Sequence, residues 1–142
     1  MKITSLLTAA FIGAQSVFAD EYVYLVNSQR GNEYSSGMAY YGDGHPASQQ
    51  PRPDDYTDVT HGSNVHWEGQ PVKGTFGTGV SFTSNIFADA AGKGPNAWAG
   101  TGNNGFQKFN CYKGTSPGGK PWLLYTVDGW SVYVIYFCRN NG

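Results

Sequence analysis

Of the chain's 142 residues only 13 % are charged, while 15 % are aromatic and 20 are glycine. Soluble domains carry roughly 25 % charged residues, so this is the composition of sheets and loops, poor in ion pairs. A formal net charge of −1 offers no long-range pull on nucleic acid or anionic lipid, which argues against a partner bound mainly through charge.

Met1-Lys2 and the apolar run from Ile3 to Ile12 precede Val17-Phe18-Ala19 and the acidic pair Asp20-Glu21. Small residues at the positions inspected by a signal peptidase predict a leader over residues 1–19, cut after Ala19. The run is too short for a membrane span, which needs about 20 apolar residues, and Thr8, Gly13 and Gln15 interrupt it. Residues 20–142 are then expected to form a single secreted, β-rich domain, extracellular and without stable membrane insertion. Losing Lys2 takes its formal charge to −2.

Glu21 to Asn27 reads as the first strand and Gly37 to Tyr41 as a short second one, ended by Gly42-Asp43-Gly44. Prolines at 46, 51 and 53 predict a long surface loop over 45–58. Strand signals return at 64–68 and over 74–83, where Gly77 and Gly79 mark bulges or close approach. Ser84 is placed to cap a two-turn helix over 85–91 that Gly92 ends. Ala97 to Gly100 is a weak strand, and 101–105 a glycine and asparagine loop. The last third predicts strands at 106–112, 122–127 and 130–138. Asp128-Gly129 is the two-residue signature of a type I′ hairpin between the last two. Val132, Val134 and Tyr136 alternate with Tyr133, Ile135 and Phe137, so both faces of the final strand are apolar and it belongs in the middle of a sheet.

Cys111 and Cys138 are the only cysteines, and in an oxidising compartment they are expected to bridge. In a flat meander their strands would flank the middle one, about 9.5 Å apart, beyond the roughly 7 Å a disulfide spans. A sheet curled into a barrel or sandwich resolves this, the alternative being that Cys138 folds across beyond its strand. The expected class is therefore all-β, a mainly antiparallel barrel or sandwich with at most one short helix and one disulfide.

For chemistry, His66-Trp67-Glu68 sets a His and a carboxylate on one face of a strand, the pairing that general acid–base catalysis of phosphodiester cleavage uses. Arg30, Arg52 or Arg139 would supply the phosphate-stabilising cation, and His61 or His45 a second imidazole if the loop folded back. The bland reading of the same residues is a solvated strand face. Asp54, Asp55 and Asp58 lack the spacing and the glycine of a calcium loop, so no metal and no cofactor is expected. Nucleophile-elbow, P-loop, dinucleotide and zinc-protease motifs do not occur. Trp98 and Trp122, in glycine- and proline-rich surroundings, are candidates for a sugar-stacking platform.

The segments Phe106-Gln107-Lys108-Phe109-Asn110-Cys111-Tyr112-Lys113, Leu124-Tyr125, Asp128-Gly129 and Val134-Ile135-Tyr136-Phe137-Cys138 resemble small secreted proteins of filamentous fungi. More narrowly, they are similar to the hypersensitive-response-inducing elicitors of plant-pathogenic ascomycetes. The resemblance implies a secreted effector or virulence factor, perceived through a plant surface protein or cell-wall component and triggering defence or cell death. It brings no catalytic residues. The expected function is thus non-enzymatic elicitation by surface recognition, the alternatives being a ribonuclease-like hydrolase using His66 and Glu68 or a cell-wall carbohydrate-binding protein.

Overall fold

The computed structural model describes residues 20–42, 52–115 and 120–140. The leader, His45 and residues 116–119 between the strands expected at 106–112 and 122–127 lie outside them. Among the described residues nine strands form one sheet: β1 (Tyr22–Arg30), β2 (Glu33–Tyr41), β3 (Asp55–His61), β4 (Pro71–Thr75), β5 (Ser81–Ile86), β6 (Trp98–Asn103), β7 (Lys108–Lys113), β8 (Trp122–Val127) and β9 (Trp130–Arg139). Every strand pairing is antiparallel, in the order β3-β2-β1-β9-β7-β6-β5-β4, with β8 also on β9. The sheet curls into a nearly closed barrel. Its outer strands β3 and β4 meet through side chains at Gly74, where a Cβ would lie 2.9 Å from Thr57 Cγ2 and 3.0 Å from Met38 Sδ. Only glycine lets the two edges come this close.

The sheet carries a core on each of its faces. Val23, Leu25, Met38, Phe82, Phe109 and Tyr136 fill the barrel. On the outer face of β1 and β2, Tyr24, Val26, Ala39 and Tyr41 form a second core with Leu124 and Tyr125 of β8 and with Val132 and Val134 of β9. Strands β1, β2 and β9 are consequently buried on both faces, as the doubly apolar pattern of 130–138 predicts. The alternation itself needs correction. Leu25 pairs with Tyr136 and Val26 with Val134, which leaves Ile135 as a bulge. Ile135 and Tyr136 both face the barrel core while Val132, Val134 and Phe137 face the second core. An extra residue reverses the side on which all later ones point, and this lets a single strand serve both cores.

The disulfide has a simpler origin than curling. Strand β9 offers one edge to β1 and divides the other: β8 takes Trp130 to Val134 and β7 takes Tyr136 to Arg139. Cys111 and Cys138 are therefore directly opposite on neighbouring strands, with Cα atoms 3.9 Å apart. The hairpin is as expected, with positive φ at Asp128 (49°) and Gly129 (84°).

Five further expectations are corrected. The helix at 85–91 does not form: Ser84 is a fully buried residue of β5, Asn85 and Ile86 pair with Thr101 and Gly100, and one 3-10 turn, Ala90–Gly92, remains. Cross-strand partners outweigh a weak local helix preference. The 101–105 loop is shorter because β6 runs to Asn103, and Gly77 and Gly79 lie in the β4–β5 turn instead of a bulge. The proline-rich loop ends early, since Asp55–His61 is strand β3 on the edge of β2. Residues 64–68 form an irregular segment whose one ladder contact is a parallel bridge from Glu68 to Ile86.

Candidate functional site

His66 and Glu68 do meet. His66 Nδ1 lies 3.5 Å from Glu68 Oε1, the imidazole exposed and the carboxylate 12 % accessible. Trp67 between them turns inward and its Nε1 donates to Asn27 Oδ1 at 3.1 Å. The other Glu68 oxygen, Oε2, accepts from Tyr136 Oη at 2.5 Å. Burial, and secondarily this carboxylate, push the Tyr136 phenol far above its ordinary value. The ring in turn carries the buried Lys113, whose Nζ is 4.9 Å from its centroid. The arginines are engaged elsewhere. Arg30 pairs with Glu33 and lies 4.8 Å over Trp130, Arg139 lies over Tyr112, and Arg52 lines a separate cleft. The Glu68 carboxylate thus serves to anchor the 64–68 segment to the barrel through Tyr136.

Arg52 faces a cleft of about 370 Å³ on the outer side of the sheet, between β3 and the β8–β9 hairpin. Tyr56, Tyr125 and Trp130 supply its aromatic surfaces, and Ser28, Ser35, Asp58 and His61 its polar groups. His61 Nδ1 is 3.4 Å from Asp58 Oδ2, and Ser35 Oγ donates to Asp58 Oδ1 at 3.5 Å. Tyr56 owes its seat to Gly37 on the neighbouring strand, because a Cβ there would collide with the phenol. Burial raises the Tyr56 pKa, the Asp58 charge adds to this, and the nearby Ser28 and Ser35 hydroxyls oppose it. Burial likewise raises that of Tyr125. Both phenols therefore stay protonated near neutrality. Ser28 Oγ is buried beside the Tyr56 phenol and is the sole buried polar side-chain atom among the described residues without a well-formed hydrogen bond.

The two tryptophans singled out in the sequence do not share a platform. Trp98 is 52 % exposed and stands edge-on to Phe87, centroids 4.8 Å apart. Trp122 packs edge-on to Tyr24 at 5.7 Å and belongs to the second core. The tryptophan that lines the cleft is Trp130, opposite Tyr56, which arrives from a segment read as loop. Only the pairing of β3 with β2 could have revealed it. Among the described residues no cluster of three or more His, Cys, Asp or Glu is arranged to hold a metal ion, and no helix is long and apolar enough to cross a membrane. The disulfide is compatible with an extracellular protein.

No family model, no curated protein and no solved structure matches this chain.

Proposed function

We propose that this protein is a secreted effector of the elicitor type that acts by recognition, and that it takes a plant cell-wall saccharide into the cleft between β3 and the β8–β9 hairpin. The observation that carries the reading is the cleft itself: three aromatic side chains beside Ser28, Ser35, Arg52, Asp58 and His61. Apolar ring faces stack against the C–H faces of a sugar, while hydroxyls, a carboxylate and a guanidinium fix its hydroxyl groups. The sequence adds the predicted leader and the resemblance of the C-terminal hairpin unit to fungal elicitors.

Calorimetric titration with wall oligosaccharides, together with leaf infiltration, tests this on the wild type, Trp130→Ala and Asp58→Asn. Each variant is expected to weaken glycan binding about tenfold, equivalent to about 1.4 kcal/mol, and to reduce necrosis or the oxidative burst in parallel. A full leaf response from both variants, or no glycan binding by the wild type, overturns the assignment of the cleft. The hydrolase alternative draws on one observation, the 3.5 Å approach of His66 to Glu68. Offering RNA to the wild type and to His66→Ala separates the readings, and cleavage that disappears in the variant replaces recognition with catalysis.

A further inference from the structure

The barrel has an open end, on the opposite face of the sheet from the outer cleft. Strand β1 begins there, β2 ends, β3 begins, and the β4–β5 turn and β6–β7 loop overhang it. Between them lies a cavity of about 410 Å³. Its floor is apolar, made by Val23, Phe82 and Phe109 of the barrel core, with Phe76 and Val80 of the turn on one side. The carboxylates on its lining are Glu21, Asp54 and Asp55, and the described lining residues include no Lys, Arg or His.

The acids are held in place. Glu21 accepts from Tyr40 Oη at 2.5 Å and from Gln107 Nε2 at 2.5 Å, and its own N–H donates to Asn140 Oδ1 at 2.9 Å. Asp54 Oδ2 accepts from the Gly42 N–H at 2.8 Å, and Asp55 Oδ1 from that of Tyr56 at 2.8 Å. Phe106 completes the rim. It is 83 % exposed, yet its loop is well bonded: Asn104 Oδ1 accepts from the N–H groups of Phe106 and Gln107 at 2.9 and 2.8 Å. The ring extends the apolar lining of the cavity outward at its rim.

We infer that this end of the barrel binds a small amphipathic cation, an apolar body carrying an ammonium group. The body enters among Val23, Phe76, Val80, Phe82 and Phe109 beside Phe106, and the ammonium stays at the mouth near the Glu21 and Asp55 carboxylates. Taking roughly 30 Å³ per small heavy-atom group, the cavity holds about a dozen non-hydrogen atoms, within the range of small-molecule sites. The charge selects the head: an anion is repelled by the Glu21 and Asp55 carboxylates, an uncharged polar head gains no Coulombic attraction, and an ammonium is attracted to both. The inference is independent of the saccharide reading, because the two sites share no lining residue.

A matched series of octylammonium, octanol and octanoate isolates the head group. Titrated into the intact oxidised protein at pH 7 and low salt, octylammonium is expected to bind at least about tenfold more tightly than octanol, and octanoate most weakly. Shifts of the Phe76 and Val80 amide resonances locate the bound chain. Asp55→Asn, nearly isosteric, is expected to narrow the octylammonium preference severalfold while leaving octanol binding unchanged. Val80→Phe, with its melting temperature measured to show that it folds, is expected to weaken all three. Equal binding of octanoate and octylammonium, no binding of any, or shifts confined to residues outside the cavity overturns the proposal.

Discussion

Tyr136 joins parts of the chain that the sequence leaves far apart. Its hydroxyl donates to Glu68 and its ring carries the Lys113 ammonium, so a residue of β9 fixes both the irregular 64–68 segment and the end of β7. Replacing it with Phe retains the ring and removes the one buried donor from a carboxylate that is 12 % accessible. Hydrogen bonds to charged groups contribute roughly 1.5 to 3 kcal/mol, and Tyr136→Phe is expected to lower the unfolding free energy by about that much in urea titrations. Glu68→Gln in the Tyr136→Phe background is expected to recover part of the loss, since no charge is then left short of a partner. His66→Ala is expected to change stability by less than about 0.5 kcal/mol, because its imidazole is 77 % exposed and such surface pairs contribute little. A large loss on removing His66 would contradict the anchoring role given to Glu68.

At the level of the elements, β9 organises the fold. It pairs with β1 along nearly its whole length, with β8 along its first half and with β7 along its second, and the bulge at Ile135 divides the two halves. The Cys111–Cys138 bridge lies across the second half, inside the barrel core. Cys138→Ser is therefore expected to do two things: release a 27-residue separation in the unfolded chain and place a hydroxyl in an apolar core. Removing a native disulfide costs roughly 2 to 5 kcal/mol, and a drop of that size in unfolding free energy, reproduced by reduction of the wild type, is the expected result. Hydrogen exchange is expected to speed up most in β7 and the second half of β9. Uniform loss across β8 as well would show that the two halves of β9 do not behave separately.

Considered whole, the molecule stores an unusual amount of its burial in tyrosines. Tyr24, Tyr41, Tyr125 and Tyr136 all lie in the two cores, and burial is the largest cause raising the pKa of each. A raised folded-state pKa means that the native protein keeps a proton which the unfolded chain gives up near pH 10. Stability is then full below pH 10 and falls as the pH rises above it, at up to about 1.4 kcal/mol per pH unit for each such tyrosine. Urea midpoints are expected to coincide at pH 8 and 9 and to drop sharply between pH 10 and 11. Absorbance at 295 nm is expected to show these phenols ionising only as the protein unfolds. Reversible ionisation near pH 10 in a protein that stays folded would show that the second core is open to solvent.

Much of the architecture is readable along the chain because it depends on neighbours in sequence. Alternating apolar residues mark β1, β8 and β9, Asp128-Gly129 closes its hairpin, the two cysteines have only each other to pair with, and His66 meets Glu68 because they are two residues apart. What depends on long-range pairing is not readable in this way. Strand β3 lies hidden in text dominated by proline, aspartate and polar residues, since an edge strand needs only a partner on one side, and β2 provides it. The helix pattern after Ser84 yields to pairing with β6, and the alternation of β9 is broken by a bulge that exists only because β1 registers against it. The outer cleft draws on β1, β2, β3, β8 and β9, and the cavity at the barrel mouth on segments from Glu21 to Phe109. Their residues converge only when the sheet curls, because curvature, and not order in the chain, decides which side chains share a hollow.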